Sequence, residues 1–269
     1  MMANRLSPFH IVTALALAAA AAGLLTGRLW IVAAVLTAYS VAMFLGVTFI
    51  RLNFFCEARC RGARGGKRLT LTFDDGPDPA ATPALLDTLR GLRVPAAFFC
   101  VGERVRAEPD LALRIVSEGH VIANHTLRHG WWTNFLFGRR LREELLNAQE
   151  AIRAVTGVTP RYYRSPVGMT NLHLGPELRR TKLLLVGWDV RALDRGAPRD
   201  RVVRRILRLA RDGSIVLLHD AGARPDVLTG VVSDVVTELR ARGYAFVGLD
   251  ELLAPGRGPV NAPPGRRSP

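Results

Sequence analysis

Two long apolar stretches at the N-terminus constrain the fold of this chain most. Between Arg5 and Arg51 the sequence carries a single charge, Arg28, which divides the stretch into residues 8–26 and 29–50. Each part is close to the roughly 20 helical residues that cross a bilayer. The first part also fits a cleaved signal peptide, given its Ala-rich run, but the second would then remain as an anchor. We therefore predict that residues 1–52 form a transmembrane helical hairpin.

Basic residues are concentrated beside this hairpin. The formal net charge is +14, and residues 51–68 contain six bases against one acid, Glu57. The sequence shows no basic stripe with aromatic platforms and no groove helix, so we expect no nucleic-acid partner. A basic segment next to a span attracts anionic membrane lipids and is retained on the cytoplasmic side. We predict a basic juxtamembrane linker at residues 53–66 and a disordered basic tail at residues 254–269.

The cysteines carry little information about function. Cys56 and Cys60 are separated by three residues, and no second Cys or His pair lies nearby to complete a zinc ribbon. We interpret them as ordinary thiols. An odd number of cysteines without a framework fits a reducing compartment slightly better than an oxidising one.

The remaining segment, residues 67–253, alternates between strand-like and helix-like stretches, which predicts a parallel α/β sheet or barrel. Thr82 followed by Pro83 indicates an N-cap and a helix to about Leu92. A longer amphipathic helix is predicted from Arg139 to Thr156. The predicted strands cover residues 69–73, 96–101, 121–124, 162–164, 183–190, 214–218 and 245–247, and the other predicted helices cover residues 110–118, 202–209 and 227–242.

Polar side chains with catalytic chemistry follow the predicted strands. Asp74 and Asp75 follow the first strand, and His125 and His129 follow the third. His219 follows a late apolar strand. Active sites of α/β sheets and barrels collect at the carboxyl ends of strands. We therefore expect these residues to meet at one site.

A carboxylate and two imidazoles in this arrangement predict a divalent-metal site. Asp-Asp-Gly-Pro alone is equally typical of a turn, and two histidines alone are often surface residues. His125 and His129 are four residues apart, so on a helical turn both rings would face one point. With Asp75 they would form a site of two histidines and one carboxylate with open positions. Asp74 would then be free to act as a base.

Three further residues have a structural and a functional interpretation each. Arg164 is either a surface arginine near a turn or a guanidinium that holds Asp74 ionised. His219 is either a core imidazole or a general acid for a leaving amine. Asp194 would orient such a histidine or stabilise its charge.

Together these segments resemble the motifs of the polysaccharide deacetylase family, also called carbohydrate esterase family four or the NodB homology domain. The resemblance is carried by Thr72-Phe73-Asp74-Asp75-Gly76-Pro77, by Asn124-His125-Thr126-Leu127-Arg128-His129, and by the segments around Arg164, Asp194 and His219. It covers residues 67–253 and implies a distorted (β/α) barrel that removes N-acyl groups from amino sugars.

The resemblance also implies a role for each matching residue. The implied metal is zinc, with cobalt or nickel as alternatives. The implied roles are the base for Asp74, metal ligands for Asp75, His125 and His129, a tether for Arg164, the acid for His219, tuning of that acid for Asp194, and substrate binding for Leu218, which lines the acetyl pocket, Pro166 and Trp188.

Two positions depart from the family pattern and leave the substrate open. Val167 and Arg195 stand where the family usually has aromatic residues that help to wall the sugar groove. The first hypothesis is a membrane-anchored, metal-dependent N-deacetylase of an amino sugar in a polysaccharide. The second is a deacetylase or deformylase of a polyprenyl-phosphate-linked sugar at the inner leaflet. The third is a non-catalytic glycan-binding protein on the same fold. The charge bias favours a cytoplasmic catalytic domain, whereas the family is commonly exported.

Overall fold

A computed structural model describes residues 7–254 of the chain. The tail that the sequence predicts to be disordered lies, apart from residue 254, outside the described residues.

The N-terminal apolar stretches form two helices, α1 (Pro8–Leu25) and α2 (Leu29–Thr48), that contact each other. Gly27, at a φ of +67°, lies in the tight turn between them. Thr13 and Tyr39 share a hydrogen bond of 3.0 Å between the two helices. Both helices are long and apolar enough to cross a membrane, with mean hydropathies of 1.9 and 2.0, and only 6% of each is buried in the chain. The helical hairpin expected from the sequence is therefore present as a structure.

After a 3₁₀ turn at Ile50–Leu52, strands and helices alternate as the sequence predicts. The strands are β1 (Arg68–Asp74), β2 (Ala96–Cys100), β3 (Val121–Asn124), β4 (Tyr162–Tyr163), β5 (Leu184–Leu185), β6 (Val190–Arg191), β7 (Ser214–His219) and β8 (Ala245–Phe246). The helices are α3 (Thr82–Leu92), α4 (Gly102–Ala107), α5 (Pro109–Ser117), α6 (Gly138–Thr156), α7 (Leu174–Thr181), α8 (Arg199–Leu209), α9 (Pro225–Ala241) and α10 (Leu249–Leu253).

The strands form one parallel sheet in the order β5-β4-β3-β2-β1-β7-β6, and β8 also pairs with β1. The register places Asp74 beside Phe99 of β2 and His219 of β7. Residues before β1 connect the region of β5 with β7, because Arg59 pairs with Val186 and Arg61 pairs with Ser214. The result is a distorted (β/α) barrel, and the expected fold class is confirmed.

The side chains of the central strand β1 alternate between an apolar layer of surrounding helices and the interior of the barrel. Its residues Leu69, Leu71 and Phe73 are fully buried and pack with apolar residues of the surrounding helices. The alternate residues Thr72 and Asp74 point into the barrel, since side chains of a strand alternate between faces. This alternation delivers the Asp74 carboxylate to the interior at the carboxyl end of the strand.

Some elements differ from the sequence-based predictions. The strand predicted at residues 183–190 is two short strands, β5 and β6, because the chain changes partners: the Val186 amide donates to Tyr163 of β4, whereas the Asp189 amide donates to Ile215 of β7. Thr82 is not an N-cap, since the cap position is Ala81. The sequence analysis did not predict α4, α7 or α10.

The basic segment before the barrel is anchored to it. The Arg61 guanidinium lies 2.8 Å from the buried Asp189 carboxylate, and Arg68 pairs with Glu251 at 3.5 Å. Arg59 pairs with Glu57 at 3.0 Å on the surface. Part of the positive charge near the hairpin is therefore neutralised by the protein itself.

Candidate functional site

The two adjacent aspartates lie at the carboxyl end of β1 and are both buried. Asp74 is 4% exposed and Asp75 is 6% exposed. Asp75 has a φ of +74°, so the chain turns sharply at this residue and directs the two carboxylates to different neighbours. Asp74 faces Arg164, whereas Asp75 faces the histidines.

Asp75, His125 and His129 form the candidate metal centre. The Nε2 atoms of His125 and His129 lie 3.1 and 3.0 Å from the same oxygen, Oδ1 of Asp75. One ligand atom from each of the three residues lies within 4.8 Å of the others. Two imidazole nitrogens and a carboxylate oxygen are a donor set that suits zinc and related divalent ions. The residues that the sequence predicts as metal ligands are therefore brought together, and they fit a divalent ion.

The geometry of the His pair is not helical, which corrects the sequence-based reasoning. Residues 125–130 form a loop, with φ values of +70° at Thr126 and +51° at His129. The Asn124 side chain accepts a hydrogen bond from the Thr126 amide, and the Thr126 hydroxyl accepts one from the His129 amide. Glu144 of α6 accepts hydrogen bonds from the amides of residues 127 and 128. Side-chain bonds to the backbone therefore converge the two rings without a helical turn.

Hydrogen bonding fixes the tautomer of His125. Its Nδ1 donates to the Arg164 carbonyl oxygen at 2.7 Å. Because a carbonyl only accepts, Nδ1 carries the hydrogen, and Nε2 presents its lone pair towards Asp75. This outer hydrogen bond is the usual way in which proteins orient an imidazole for a metal.

Electrostatics favour the protonation states that a metal ligand needs at Asp75 and His129. Burial lowers the pKa of His129, and the neighbouring His125 lowers it further, against the opposing carboxylates Asp75 and Asp74. Burial opposes ionisation of Asp75, but its contacts with His125, His129 and His219 outweigh burial, so that the pKa of Asp75 lies below the ordinary value. A neutral imidazole and an ionised carboxylate are both competent ligands.

Arg164 holds Asp74 inside the barrel. Its guanidinium is fully buried and lies 2.6 Å from Oδ1 of Asp74. It also donates to the Thr72 hydroxyl, at 2.8 Å, and to the carbonyl oxygens of Val186 and Gly187. The predicted contact between Arg164 and Asp74 is present. The additional acceptors fix the orientation of the guanidinium.

His219 and Asp194 form a second, coupled pair. Asp194 accepts two hydrogen bonds from His219, one from the backbone amide at 2.7 Å and one from Nδ1 at 2.9 Å. Burial alone would lower the pKa of His219, but the hydrogen bond and charge of Asp194, with a smaller contribution from Asp74, raise it. Nε2 of the protonated ring is left free to donate.

A cavity of about 380 Å³ lies against this pair, between the end of β7 and helices α8 and α9. Leu218 lines it, as the resemblance implies for an acyl pocket. Other apolar lining residues include Val202, Ala221, Val227, Leu228 and Val231. Arg195 lies at its edge and contacts the Asp75 carboxylate.

The two other predicted substrate-binding residues flank Arg164. Pro166 is buried, and its carbonyl oxygen accepts a hydrogen bond from Asn134. Trp188 is half-buried, with its ring 5.6 Å from the Arg164 guanidinium and so close to Gly168 that a Cβ there would clash with it. Neither residue lines the cavity beside His219, and their roles remain predictions.

The sequence analysis missed two buried residues of the site. Thr72 accepts a hydrogen bond from Arg164, and its inward position follows from the alternation of β1. Asp220 is fully buried beneath the aspartate turn and accepts a hydrogen bond from Thr82 at 2.6 Å. Burial raises the pKa of Asp220 to about 7. Its place directly after His219 was the only signal in the sequence.

Comparison with known proteins agrees with this fold. A family profile described as polysaccharide deacetylase matches residues 61–184. A chitooligosaccharide deacetylase of Sinorhizobium fredii is 39% identical over 196 residues, which are 72% of this chain and 87% of that protein. A peptidoglycan-N-acetylglucosamine deacetylase of Bacillus cereus is 33% identical over 190 residues, which are 70% of this chain and 88% of that protein.

Solved structures show the same architecture. The Bc1960 peptidoglycan N-acetylglucosamine deacetylase superposes with a TM-score of 0.69 at 26% identity, over 75% of this chain and 94% of that one. The chain therefore belongs to the polysaccharide deacetylase family, carbohydrate esterase family four. It is a hydrolase of the amino-sugar N-deacetylase type.

Proposed function

We propose that this protein is a metal-dependent hydrolase that removes the acetyl group from N-acetylated amino sugars. The observation that carries the proposal is the arrangement of three groups around one point. The centre formed by Asp75, His125 and His129 lies beside Asp74, whose Oδ2 is 4.0 Å from Nε2 of His125. The His219–Asp194 pair comes from the neighbouring strand end. This arrangement supports a base, a metal centre and an acid acting on one substrate.

The metal centre supplies the electrophilic part of the chemistry. A divalent ion held by Asp75, His125 and His129 would polarise the amide carbonyl and lower the pKa of the attacking water. Zinc fits this donor set, and cobalt or nickel would also fit. The fixed tautomer of His125 and the lowered pKa of His129 keep the imidazole nitrogens available.

Asp74 is the proposed base. It takes a proton from the water as the water oxygen bonds to the carbonyl carbon of the acetamide. Arg164 stabilises the ionised carboxylate and leaves the second carboxylate oxygen, Oδ2, directed towards the metal centre. A base held in this way is already oriented for proton transfer before the substrate binds.

His219 is the proposed acid. Its proton passes to the amide nitrogen as the carbon–nitrogen bond breaks, which leaves a free amine on the sugar and releases acetate. Asp194 holds Nδ1 and stabilises the imidazolium, so Nε2 faces the leaving nitrogen. The raised pKa of His219 keeps the ring protonated at neutral pH more often than a free histidine.

The acyl group is proposed to enter the cavity lined by Leu218, next to the acid. For the sugar we favour N-acetylglucosamine units, because the relatives are described as deacetylases of chitooligosaccharides and of peptidoglycan. Pro166 and Trp188 would contact the sugar near Arg164. Removal of an acyl group from a polyprenyl-phosphate-linked amino sugar is the second candidate. It is favoured by the two apolar helices that adjoin the barrel.

We also propose that the apolar helices α1 and α2 anchor the barrel to a membrane, with residues 53–66 as the connection and residues 67–253 as the catalytic unit. Basic residues next to the spans favour a cytoplasmic barrel and contact with anionic lipids. Fusions after residue 269 test this. A fluorescent protein that folds only inside should fluoresce, whereas activity of a phosphatase that folds only outside would place the barrel outside and make an exported polysaccharide the substrate.

Replacement of the base tests the catalytic proposal. Purified full-length Asp74→Asn should release acetate from a chitooligosaccharide at least ~10³-fold more slowly than the wild type, since general base catalysis and water activation are both impaired. The matched control is Asp87→Asn on α3, where the carboxylate is 57% exposed and far from the site. Full activity of Asp74→Asn would overturn the mechanism. Glycan binding without any wild-type turnover would support the non-catalytic alternative.

A further inference from the structure

Exposed apolar side chains lie on two loop segments that follow the site residues His129 and Arg164 in the chain. They belong to the 3₁₀ turn Trp131–Phe135 with the residues that follow it, and to the loop that begins with the 3₁₀ turn Pro166–Gly168. We call this set the apolar rim; its members, with their exposed fractions, are Trp132 (61%), Phe135 (59%), Phe137 (65%), Val167 (60%) and Leu172 (44%). Clusters of this kind on a protein surface mark a site of contact with another apolar surface.

The two segments of the apolar rim form one surface. The Asn134 side chain donates to the Pro166 carbonyl oxygen at 3.3 Å and accepts a hydrogen bond from the Ser165 hydroxyl at 3.1 Å. The Asn171 side chain donates in turn to the Asn134 carbonyl oxygen at 3.0 Å. The rings of Phe137 and His173 are 5.5 Å apart. These contacts lock the two segments together and keep the apolar side chains on the outside.

This surface is attached directly to the end of helix α2. The Thr170 amide donates to the Val47 carbonyl oxygen at 3.0 Å, and the Thr170 hydroxyl donates to the Gly46 carbonyl oxygen at 3.0 Å. Both carbonyls lie in the last turn of α2, where helical carbonyls have no partner within the helix. Thr170 is only 5% exposed, so this junction is packed rather than loose.

The position of that junction fixes where the apolar rim lies relative to a bilayer. A helix of 20 residues, the length of α2, spans the hydrocarbon core of about 30 Å, so its last turn lies at the membrane surface. Phe49 and Leu52, directly after α2, are each 52% exposed, and the intervening Arg51 is exposed as well. Apolar side chains together with a basic one suit the membrane surface, because an arginine there keeps its charge among the headgroups while apolar groups contact the acyl chains.

The apolar rim also borders the catalytic residues. Ser165 directly follows Arg164, and Trp132 comes three residues after His129. The loops that carry these catalytic residues therefore continue into the loops that carry the apolar rim. A bilayer in contact with the rim would lie next to the entrance of the site.

We infer that the apolar rim docks into the interfacial layer of the membrane that holds α1 and α2, and that the entrance thereby takes an amino sugar carried on a lipid of that membrane. This inference rests on the proposed deacetylation and specifies how its substrate is presented. The apolar rings cover the acyl-chain boundary, while the sugar headgroup reaches Asp74 and His219. The rim binds lipid rather than sugar, so its loss leaves the hydrolysis of a soluble sugar intact.

Brominated lipids test the docking. Full-length protein carrying Phe135→Trp is reconstituted in phosphatidylcholine vesicles with bromine on the upper part of the acyl chains, and the fluorescence of the added tryptophan is obtained by subtraction of the wild-type signal. We expect strong quenching. The matched control is Leu113→Trp on α5, at a residue that is 45% exposed and apolar, where we expect none. Equal quenching, or none, at both positions would refute the docking.

A pair of substrates tests the consequence for catalysis. One is a soluble chitooligosaccharide, and the other is the same oligosaccharide on a synthetic lipid in the vesicle. The Phe135→Ser, Phe137→Ser double variant should lose on the order of tenfold in rate on the lipid-borne substrate, corresponding to about 1.4 kcal/mol, and retain its rate on the soluble one. Leu113→Ser, Leu146→Ser, which replaces equally exposed leucines on α5 and α6, should retain both rates.

The outcomes separate the two proposals. Equal losses of the rim variant on both substrates would make the rim a sugar-binding wall and would overturn the inference. A wild type that hydrolyses neither substrate would contradict the proposed function, while the quenching would still decide the docking.

Discussion

Removal of the Arg164 guanidinium is the perturbation for which the structure gives the clearest magnitude. In an Arg164→Met variant the buried Asp74 carboxylate loses a charged partner at 2.6 Å. The Thr72 hydroxyl and the carbonyl oxygens of Val186 and Gly187 lose a donor at the same time. Breaking a buried ion pair from one side costs about 3–5 kcal/mol, because the remaining charge stays uncompensated.

This loss should be visible in thermal unfolding of the full-length protein in detergent. A cost of that size lowers the melting temperature by roughly 10 °C in a protein of this length. The matched control is Arg199→Met, which breaks an exposed pair with Asp234 and should cost less than about 1 kcal/mol. All variants are heated at one scan rate, so that slow unfolding affects them equally.

A double-mutant cycle identifies the cause. Asp74→Asn removes the charge that Arg164 compensates, so Arg164→Met should be less damaging in an Asp74→Asn background, by about 1 kcal/mol or more. Additive effects of the two substitutions, or a shift of Arg164→Met no larger than that of Arg199→Met, would refute the reasoning.

Three further predictions concern neighbouring groups. Asp194→Asn removes the main influence that raises the pKa of His219, so the alkaline limb of the kcat/KM profile should move to lower pH; an unchanged limb would exclude His219 as the acid. The raised pKa of Asp220, about 7, stabilises the fold fully below the ordinary aspartate range, and this contribution is lost as pH rises through about 7. Melting temperatures from pH 5 to 8 should therefore fall in the wild type and fall less in Asp220→Asn, and parallel curves would contradict this origin. A Cβ on Gly76 would clash with the Asp220 carboxylate, so Gly76→Ala should destabilise the protein by about 1–3 kcal/mol in urea unfolding, whereas Gly91→Ala, where a Cβ meets open space, should not.

The convergence of Asp75, His125 and His129 could be predicted from the sequence, because carboxyl ends of parallel strands meet at one edge of a sheet. The backbone conformation that brings the two histidine rings together could not be predicted from the sequence. Four-residue spacing suggested a helical turn, whereas the backbone adopts positive φ at Thr126 and His129 and is held by side-chain hydrogen bonds to Asn124 and Glu144. The Glu144 bonds span 16 and 17 residues, and local spacing does not report them.

The same limit applies to residues whose role depends on tertiary contacts. Thr82 fits an N-cap by composition, yet its hydroxyl donates to Asp220, which follows the neighbouring strand β7. The partner change between Val186 and Asp189 follows from pairing with two different strands, which an apolar run cannot reveal. The exposure of Phe135 and Phe137 likewise depends on how their loop packs, since phenylalanine is more often buried in a protein core.

The metal content of the purified full-length protein tests the central claim most directly, when acetate release is measured on the same samples. We expect an equimolar divalent ion in the wild type and in Asp74→Asn, with acetate release only in the wild type. His129→Gln should contain far less metal and be inactive, because one of the three converging ligands is lost. A wild type that still releases acetate after its metal has been removed, or a His129→Gln variant that keeps a full complement of metal, would contradict the assignment of this centre.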